Sequence, residues 1–275
     1  MVTTMSNPTR SDACTVPING TDVEVLTTDR GQGRIVLMLH GGAGPQSVTA
    51  FADLLATERP VRVITPTHPG FGGTGRPAEF STIHDLAVLY VGLLHAMDLH
   101  DVIVVGNSIG GWIAAEMALL PSNRIASVVL VDAVGIEVPG HPVADFFSLT
   151  LTEVAELSYH DPSVFRLPPA SEAQMAIMAG NRAALAVYGG APSMSDPTLA
   201  ERLIAVTVPT LVLWGESDRI VDPDYGRAFA AAIPGAQFES MPGTGHVPQV
   251  ETPHLLAGYL RDLVEHHAVD AAVRG

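Results

Sequence analysis

Cysteine is nearly absent from this chain of 275 residues. Cys14 stands alone, so no internal disulfide can close and no cysteine-built metal site can form. Basic residues are scarce too: 14 Lys and Arg face 29 Asp and Glu, a formal net charge of −15. Such a balance repels phosphates and argues against nucleic acid and anionic membrane surfaces as partners. Long apolar runs are missing; the longest is about six residues, against the ~20 that span a bilayer. The first ten residues, Met1 to Arg10, lack the apolar stretch of a signal peptide. A cytoplasmic, reducing location is the simplest expectation. No His, Asp or Glu cluster has metal-ligand spacing, so neither a metal nor another cofactor is expected. Repeats and low-complexity tracts are absent, and no feature specifies an oligomeric state.

What is present is a well-filled interior. Hydrophobic residues make up 47% of the chain and charged residues 16%, a composition and length that suit one large domain, with or without an insertion. Residues 1–13 read as a flexible tail. Residues 15–18 and 21–26, joined by Asn19-Gly20, read as a hairpin. From Ile35 onward, strand-like runs at 35–40, 61–65, 101–106, 125–131, 209–214 and 236–241 alternate with helical stretches. Alternation of this kind implies an α/β fold, a mostly parallel sheet covered on both faces. Ile83, Leu86, Ala87 and Tyr90 fall at helical spacing behind Ser81, taken as the N-cap. Asp222-Pro223 and Thr252-Pro253 each pair a capping residue with proline at the first helical position. Residues 135–205 break the alternation: they hold several prolines and helix-like stretches at 146–157 and 172–187. The second of these stands behind a Ser171-x-x-Gln174 capping box.

The stretch Gly106-Asn107-Ser108-Ile109-Gly110 sits between the apolar run 101–105 and a helical segment beginning near Gly111. Gly-x-Ser-x-Gly in that setting is the nucleophile elbow. Its glycines allow a turn so tight that a side chain would meet the neighbouring strand or helix. The serine stands at the apex, near the positive end of the following helix.

Two further segments belong with it. Upstream, 34–39 runs into His40-Gly41-Gly42-Ala43-Gly44-Pro45. Downstream, 210–215 is followed by Glu216-Ser217-Asp218, and 237–241 leads to Pro242-Gly243-Thr244-Gly245-His246. Ser108, Asp218 and His246 therefore occur in the order nucleophile, acid, base, each in a loop after an apolar strand. On these motifs the chain resembles the α/β-hydrolase superfamily over nearly its whole length, within the serine esterase, C–C hydrolase and haloperoxidase-like branch. Pro69-Gly70-Phe71-Gly72-Gly73-Thr74 is similar to a glycine turn of that family, although Thr67-His68 precedes it where many relatives have an Asp nearby. The resemblance implies a core of residues 14–134 and 206–270, with residues 135–205 as a helical cap.

A serine hydroxyl needs a base as it attacks, and an imidazole with a pKa near ~6.5 suits that task. A carboxylate then fixes the imidazole tautomer. His246 is the expected base. Asp218 is the expected acid, with Glu216, Asp222 and Asp132 as rivals; Asp222 reads better as a helix cap. The oxyanion donors implied are the backbone N–H groups of Ile109 and of Gly42, with Ala43 next. His40 reads as a structural loop residue. Ala43, Trp112, Phe147 and Met178 are expected to contact substrate, with core packing as the competing role of Trp112. Phe146, Met175 and Tyr188 are further pocket candidates.

The reaction this implies is hydrolysis of a carboxylic ester of a small molecule. C–C bond hydrolysis of a diketone and perhydrolase chemistry use the same three residues, and a small-molecule receptor can share the fold. Dehalogenases and epoxide hydrolases are disfavoured, because they carry Asp where Ser108 stands. The arginines Arg76, Arg166, Arg182 and Arg202 are expected to lie away from the elbow, which favours an uncharged ester.

Overall fold

Side chains in the central strands alternate between two apolar layers, and the alternation builds the molecule. The computed structural model describes residues 9–18, 20–164, 170–191 and 193–273. Eight strands form one sheet: β1 (Arg10–Ile18), β2 (Thr21–Gly31), β3 (Arg34–Leu39), β4 (Val61–Pro66), β5 (Val102–Asn107), β6 (Ile125–Val131), β7 (Thr210–Gly215) and β8 (Gln237–Met241). Their order is β1-β2-β4-β3-β5-β6-β7-β8. The β1–β2 and β2–β4 pairings are antiparallel, and all others are parallel. Six of these strands begin and end within one residue of the stretches expected from sequence.

Leu37 and Leu39 of β3 join one core layer, and Val36 and Met38 join the other, as a two-residue period requires. The first layer packs under helices α2 (Ile83–Ala96), α3 (Ile109–Leu119) and α7 (Pro223–Ala231), through residues such as Leu86, Ile113 and Phe229. The second packs under α1 (Gln46–Glu58) and α9 (Pro253–Val273), through Phe51, Leu55, Leu256 and Leu260. Helices α4 (Leu151–Ser158), α5 (Glu172–Gly189) and α6 (Leu199–Arg202) lie between β6 and β7, and α8 (Pro248–Glu251) precedes α9.

Three local expectations change. The stretch read as a tail is partly strand: β1 starts at Arg10, which pairs with Asp29 across a long antiparallel ladder. Residues 1–8 and Asn19 lie outside the described residues. The N-cap of α2 is Thr82, not Ser81, because only Thr82 has an acid at the third helical position; its Oγ1 accepts the Asp85 N–H at 3.2 Å, and Asp85 answers at 2.8 Å. Helix α4 begins only at Leu151, after a capping box of Thr150 and Glu153. The Ser171–Gln174 box of α5 and the Asp222 cap of α7 are present as expected.

The topology places the loops after β3, β5, β6, β7 and β8 along one edge of the sheet. In open α/β sheets that edge is where ligands bind.

Candidate active site

Ser108 occupies the turn from β5 to α3 at φ 56° and ψ −119°, a region that non-glycine residues rarely enter. Glycine is required on either side. A Cβ on Gly106 would lie 2.1 Å from the Gly110 carbonyl oxygen, and one on Gly110 would lie 2.4 Å from that of Leu39. The turn is pinned by Ser108 N–H donating to Val131 O at 2.9 Å. Ile109 opens α3 and so has no carbonyl four residues back within the helix. Its N–H, like that of Gly42, meets no acceptor among the described residues.

Asp218 and His246 come from the loops after β7 and β8. Asp218 is 2% exposed. Its Oδ1 accepts the N–H groups of Ile220 at 2.8 Å and Val221 at 3.1 Å, while its Oδ2 lies 2.8 Å from His246 Nδ1. A ring that donates from Nδ1 to a carboxylate keeps Nε2 as its acceptor. The two loops touch so closely that a Cβ on Gly215 would sit 2.2 Å from Gly245 O. Of the rival acids, Glu216 is exposed and accepts from Ser240 Oγ at 3.3 Å. Asp222 caps α7. Asp132 is fully buried at the end of β6. Burial first, and the neighbouring Asp218 carboxylate second, hold its proton well above the usual carboxylate range.

The loop after β3 rests on two buried histidines. His40 Nδ1 donates to Gly41 O at 2.8 Å, and its Nε2 accepts the His68 N–H at 3.1 Å. His68 in turn bonds His40 O at 2.9 Å and Tyr90 Oη at 2.5 Å. Burial lowers the His40 pKa to about 4 and that of His68 well below its ordinary value. Both rings are neutral supports of the glycine loop.

Ser108, His246, Gly42, Ala43 and Met178 line one cavity of about 240 Å³. Phe146, Leu151, Val154, Leu185 and Ile220 give it apolar walls. Two expected contacts fall elsewhere. Phe147 is absent from that lining; its ring centroid lies 4.5 Å from that of Phe146, tilted by 31°, and it lies under the Arg182 guanidinium. Trp112 packs over Gly135 and faces a separate cavity of about 530 Å³, shared with Tyr188. Its indole is buried against Gly135, where a Cβ would lie 2.6 Å from Trp112 Cγ, so the side chain is taken up by core packing. Met175 is 52% exposed. Arg182, expected far from the elbow, also lines the Ser108 cavity. Its guanidinium donates to the carbonyls of Phe146 and Phe147. Arg166 lies outside the described residues.

Several supporting residues carry no local sequence signal. Asn107 Nδ2 donates to His246 O at 3.0 Å, and its Oδ1 accepts from Gln249 at 3.1 Å. Asn181 of α5 bridges Ala43 O at 2.9 Å and Gly72 N–H at 2.8 Å. Ser158 O, at the end of α4, accepts the His246 N–H at 2.7 Å. The expectation that metal-ligating groups stay apart also changes. His141, Asp222 and Asp224 meet with donor atoms within 4.8 Å of one another. Chain spacing hides this, because His141 comes from the β6–β7 segment. The three already have protein partners: His141 bonds Asp222 at 2.7 Å, and Asp224 pairs with Arg227 at 2.7 Å. No helix among the described residues is long and apolar enough to cross a membrane.

A mostly parallel eight-stranded sheet with a serine on the tight turn from strand to helix is the α/β-hydrolase fold. The Alpha/beta hydrolase family matches residues 36–258, and the chain belongs to that family. A 2-hydroxymuconate semialdehyde hydrolase of Pseudomonas sp. (strain CF600) is 30% identical over 268 residues, covering 86% of this chain and 88% of the relative. Lipase 3 of Moraxella sp. (strain TA144) is 28% identical over 261 residues, covering 85% of this chain and 78% of the lipase. Among solved structures, a thermophilic esterase from Thermogutta terrifontis superposes with a TM-score of 0.72 at 26% identity, covering 94% of this chain and 98% of the esterase.

Proposed function

We propose that this protein is a cofactor-independent serine hydrolase that cleaves a carboxylic ester of a small molecule. Ser108 is the nucleophile, His246 the general base and Asp218 the acid that orients it. The observation that carries the reading is His246. Its ring is bound through Nδ1 to Asp218 and stands in the wall of the cavity that Ser108 also lines. His246 takes the Ser108 proton as the hydroxyl attacks the carbonyl. The Asp218 carboxylate stabilises the imidazolium that forms. The free N–H groups of Ile109 and Gly42 receive the oxyanion, and losing one such donor costs roughly 2.7–4 kcal/mol of barrier. The imidazolium then protonates the leaving alcohol, and water repeats the sequence on the acyl-enzyme. Residues 135–205 serve as the cap. Leu151 and Val154 from α4, with Met178 and Leu185 from α5, shape the apolar part of the pocket.

A second reading, C–C bond hydrolysis, is favoured by Arg182 and by the semialdehyde hydrolase relative. An arginine fork pairs with carboxylates, and such a group would suit an acidic substrate. Against it, one guanidinium nitrogen is already engaged by two backbone carbonyls, so the ester reading stands first.

Fluorophosphonate labelling of Ser108 separates a working nucleophile from a ligand-binding pocket. A p-nitrophenyl ester should then give a burst of nitrophenol equal to the enzyme concentration when deacylation is slow. Absence of labelling refutes the serine mechanism. Efficient turnover of a ring-fission diketone with poor turnover of esters refutes ester specificity alone.

A further inference from the structure

Three carboxyl side chains are buried among the described residues: Glu116, Asp132 and Asp218. Glu116 is met by both terminal nitrogens of Arg202, at 2.5 and 2.9 Å. Asp218 has two backbone N–H groups and the His246 ring. Asp132 is different. Its Oδ1 accepts the Gly215 N–H at 2.7 Å, but its Oδ2, out of reach of solvent, has no partner among the described residues. An ionised carboxylate with a bare buried oxygen carries a heavy desolvation penalty. A neutral carboxyl does not, provided that its O–H finds an acceptor.

The acceptor is at hand. Gly215 donates its N–H to Asp132 Oδ1 and accepts the backbone N–H of Asp218 at 3.2 Å, and the Asp218 side chain acts on the Asp132 carboxyl both through its charge and as a hydrogen-bond partner. The two carboxyls stand at the ends of β6 and β7, adjacent strands with Val131 paired to Leu213. The charged groups acting on Asp132 are both acids: Asp218 from the loop after β7 and, more weakly, Glu251 from α8. No cation forms an ion pair with it among the described residues. Each neighbour disfavours a second negative charge.

We propose that Asp132 is a positioning residue that carries a proton and donates it as a hydrogen bond to Asp218. The pair then holds one negative charge rather than two. Asp218 receives a fourth donor beside Ile220, Val221 and His246, so its carboxylate draws less on the imidazole proton of His246. Asp132 touches neither substrate nor the reacting atoms. The inference rests on the assignment of Asp218 and His246 given above.

Two readouts test it. Infrared spectra of the wild type at neutral pH should contain the C=O band of a protonated carboxyl that Asp132→Asn removes. Absence of that difference overturns the proposal whatever the activity. The second readout is the acidic limb of the kcat/KM profile. In Asp132→Asn the amide oxygen still accepts from Gly215 and the amide nitrogen still donates to Asp218, so the limb should stay in place. Were Asp132 ionised, Asn would remove a charge that favours the imidazolium, moving the limb to lower pH by about one unit or more. Asp132→Leu, which deletes the donor, should move the limb to higher pH and lower kcat by about tenfold. Unshifted limbs in both variants, with only a lower melting temperature, assign Asp132 to packing and overturn the proposal. If Asp132→Leu does not fold, the Asn profile and the infrared band decide alone. Retention of turnover by Ser108→Ala or His246→Ala instead breaks the underlying site assignment, while the infrared result continues to decide the proton on Asp132.

Discussion

The Glu251 carboxylate accepts the backbone N–H of Gly245 at 2.6 Å, one residue before His246. Its other oxygen takes the N–H groups of His160 at 2.7 Å and Asp161 at 3.3 Å, just past α4. One side chain on the short helix α8 thus ties the His246 loop to the segment between β6 and β7. Arg219, next to Asp218, is joined to the same place through its N–H on Leu157 O at 3.1 Å.

Glu251→Ala should therefore leave three N–H groups without their acceptor, each costing about 1–3 kcal/mol where water does not replace it. The expected result is a melting temperature lower by on the order of 5 °C. A fall in kcat of about tenfold should accompany it, since small displacements of a catalytic group are costly. KM should change little, because Glu251 does not line the cavity. Unchanged kcat in a folded variant would show that the imidazole is placed without this brace.

Ser108 stores strain that glycine would release. At φ 56° and ψ −119° its Cβ is held where only glycine sits easily. Ser108→Gly should abolish turnover and raise stability by about 1 kcal/mol or more. Denaturant titration of the two proteins measures it. A destabilised Ser108→Gly would mean that contacts of the hydroxyl outweigh the strain.

Much of this was legible in the chain, for a physical reason. Strand β5, its glycine turn and α3 are contiguous, so periodicity and the steric demand of Gly106 and Gly110 located Ser108 directly. Asp218 and His246 stand in the loops after β7 and β8, where the resemblance to the α/β-hydrolases led us to expect the acid and the base. What sequence did not reveal are the contacts between distant segments. Asn107 to Gln249, Asn181 to Ala43 and Asp132 to Gly215 join residues with no shared pattern. The place of Phe147 was equally invisible, because which face of the β6–β7 segment turns inward is decided by packing. Arg182 was misplaced for that reason: it lies one residue beyond Asn181, which anchors α5 to the glycine loop.

Stability should fall as the solution is acidified below neutrality. His40 and His68 are buried as neutral rings, with the His40 pKa held at about 4 and that of His68 well below normal. In the unfolded chain both titrate near ~6.5. Between that value and about 4 the unfolded chain binds protons that the fold refuses, so stability declines as pH falls. Asp132 works in the opposite sense, because the fold keeps its proton while the unfolded chain loses it. It offsets one of the two histidines over this window. The net slope from these three groups is on the order of 1 kcal/mol per pH unit. Above pH ~6.5 the histidine contribution is fully present. Denaturation midpoints at pH 7, 6 and 5 test this, and a flat series contradicts it.

Met178 and Phe147 were expected to play the same part, and the structure separates them. Met178 lines the Ser108 cavity, whereas Phe147 packs against the tilted ring of Phe146 and supports the Arg182 guanidinium. Met178→Ala enlarges the apolar pocket without touching the reacting groups. It should shift preference toward bulkier acyl or alcohol groups, by about 10-fold or more in relative kcat/KM, while a small activated ester is cleaved almost as before. Phe147→Ala removes a ring from beneath Arg182 and from the face of Phe146. Its main effect should be a lower melting temperature, with a cost nearer the low end of the ~3–5 kcal/mol seen for fully buried aromatics, because Phe147 is only partly buried. Losses across substrates should then be roughly uniform. Ester panels of graded acyl length, run beside thermal melts, distinguish the two residues. If Phe147→Ala re-ranks the esters and Met178→Ala leaves their order intact, the cavity seen beside Ser108 is not the space that holds substrate.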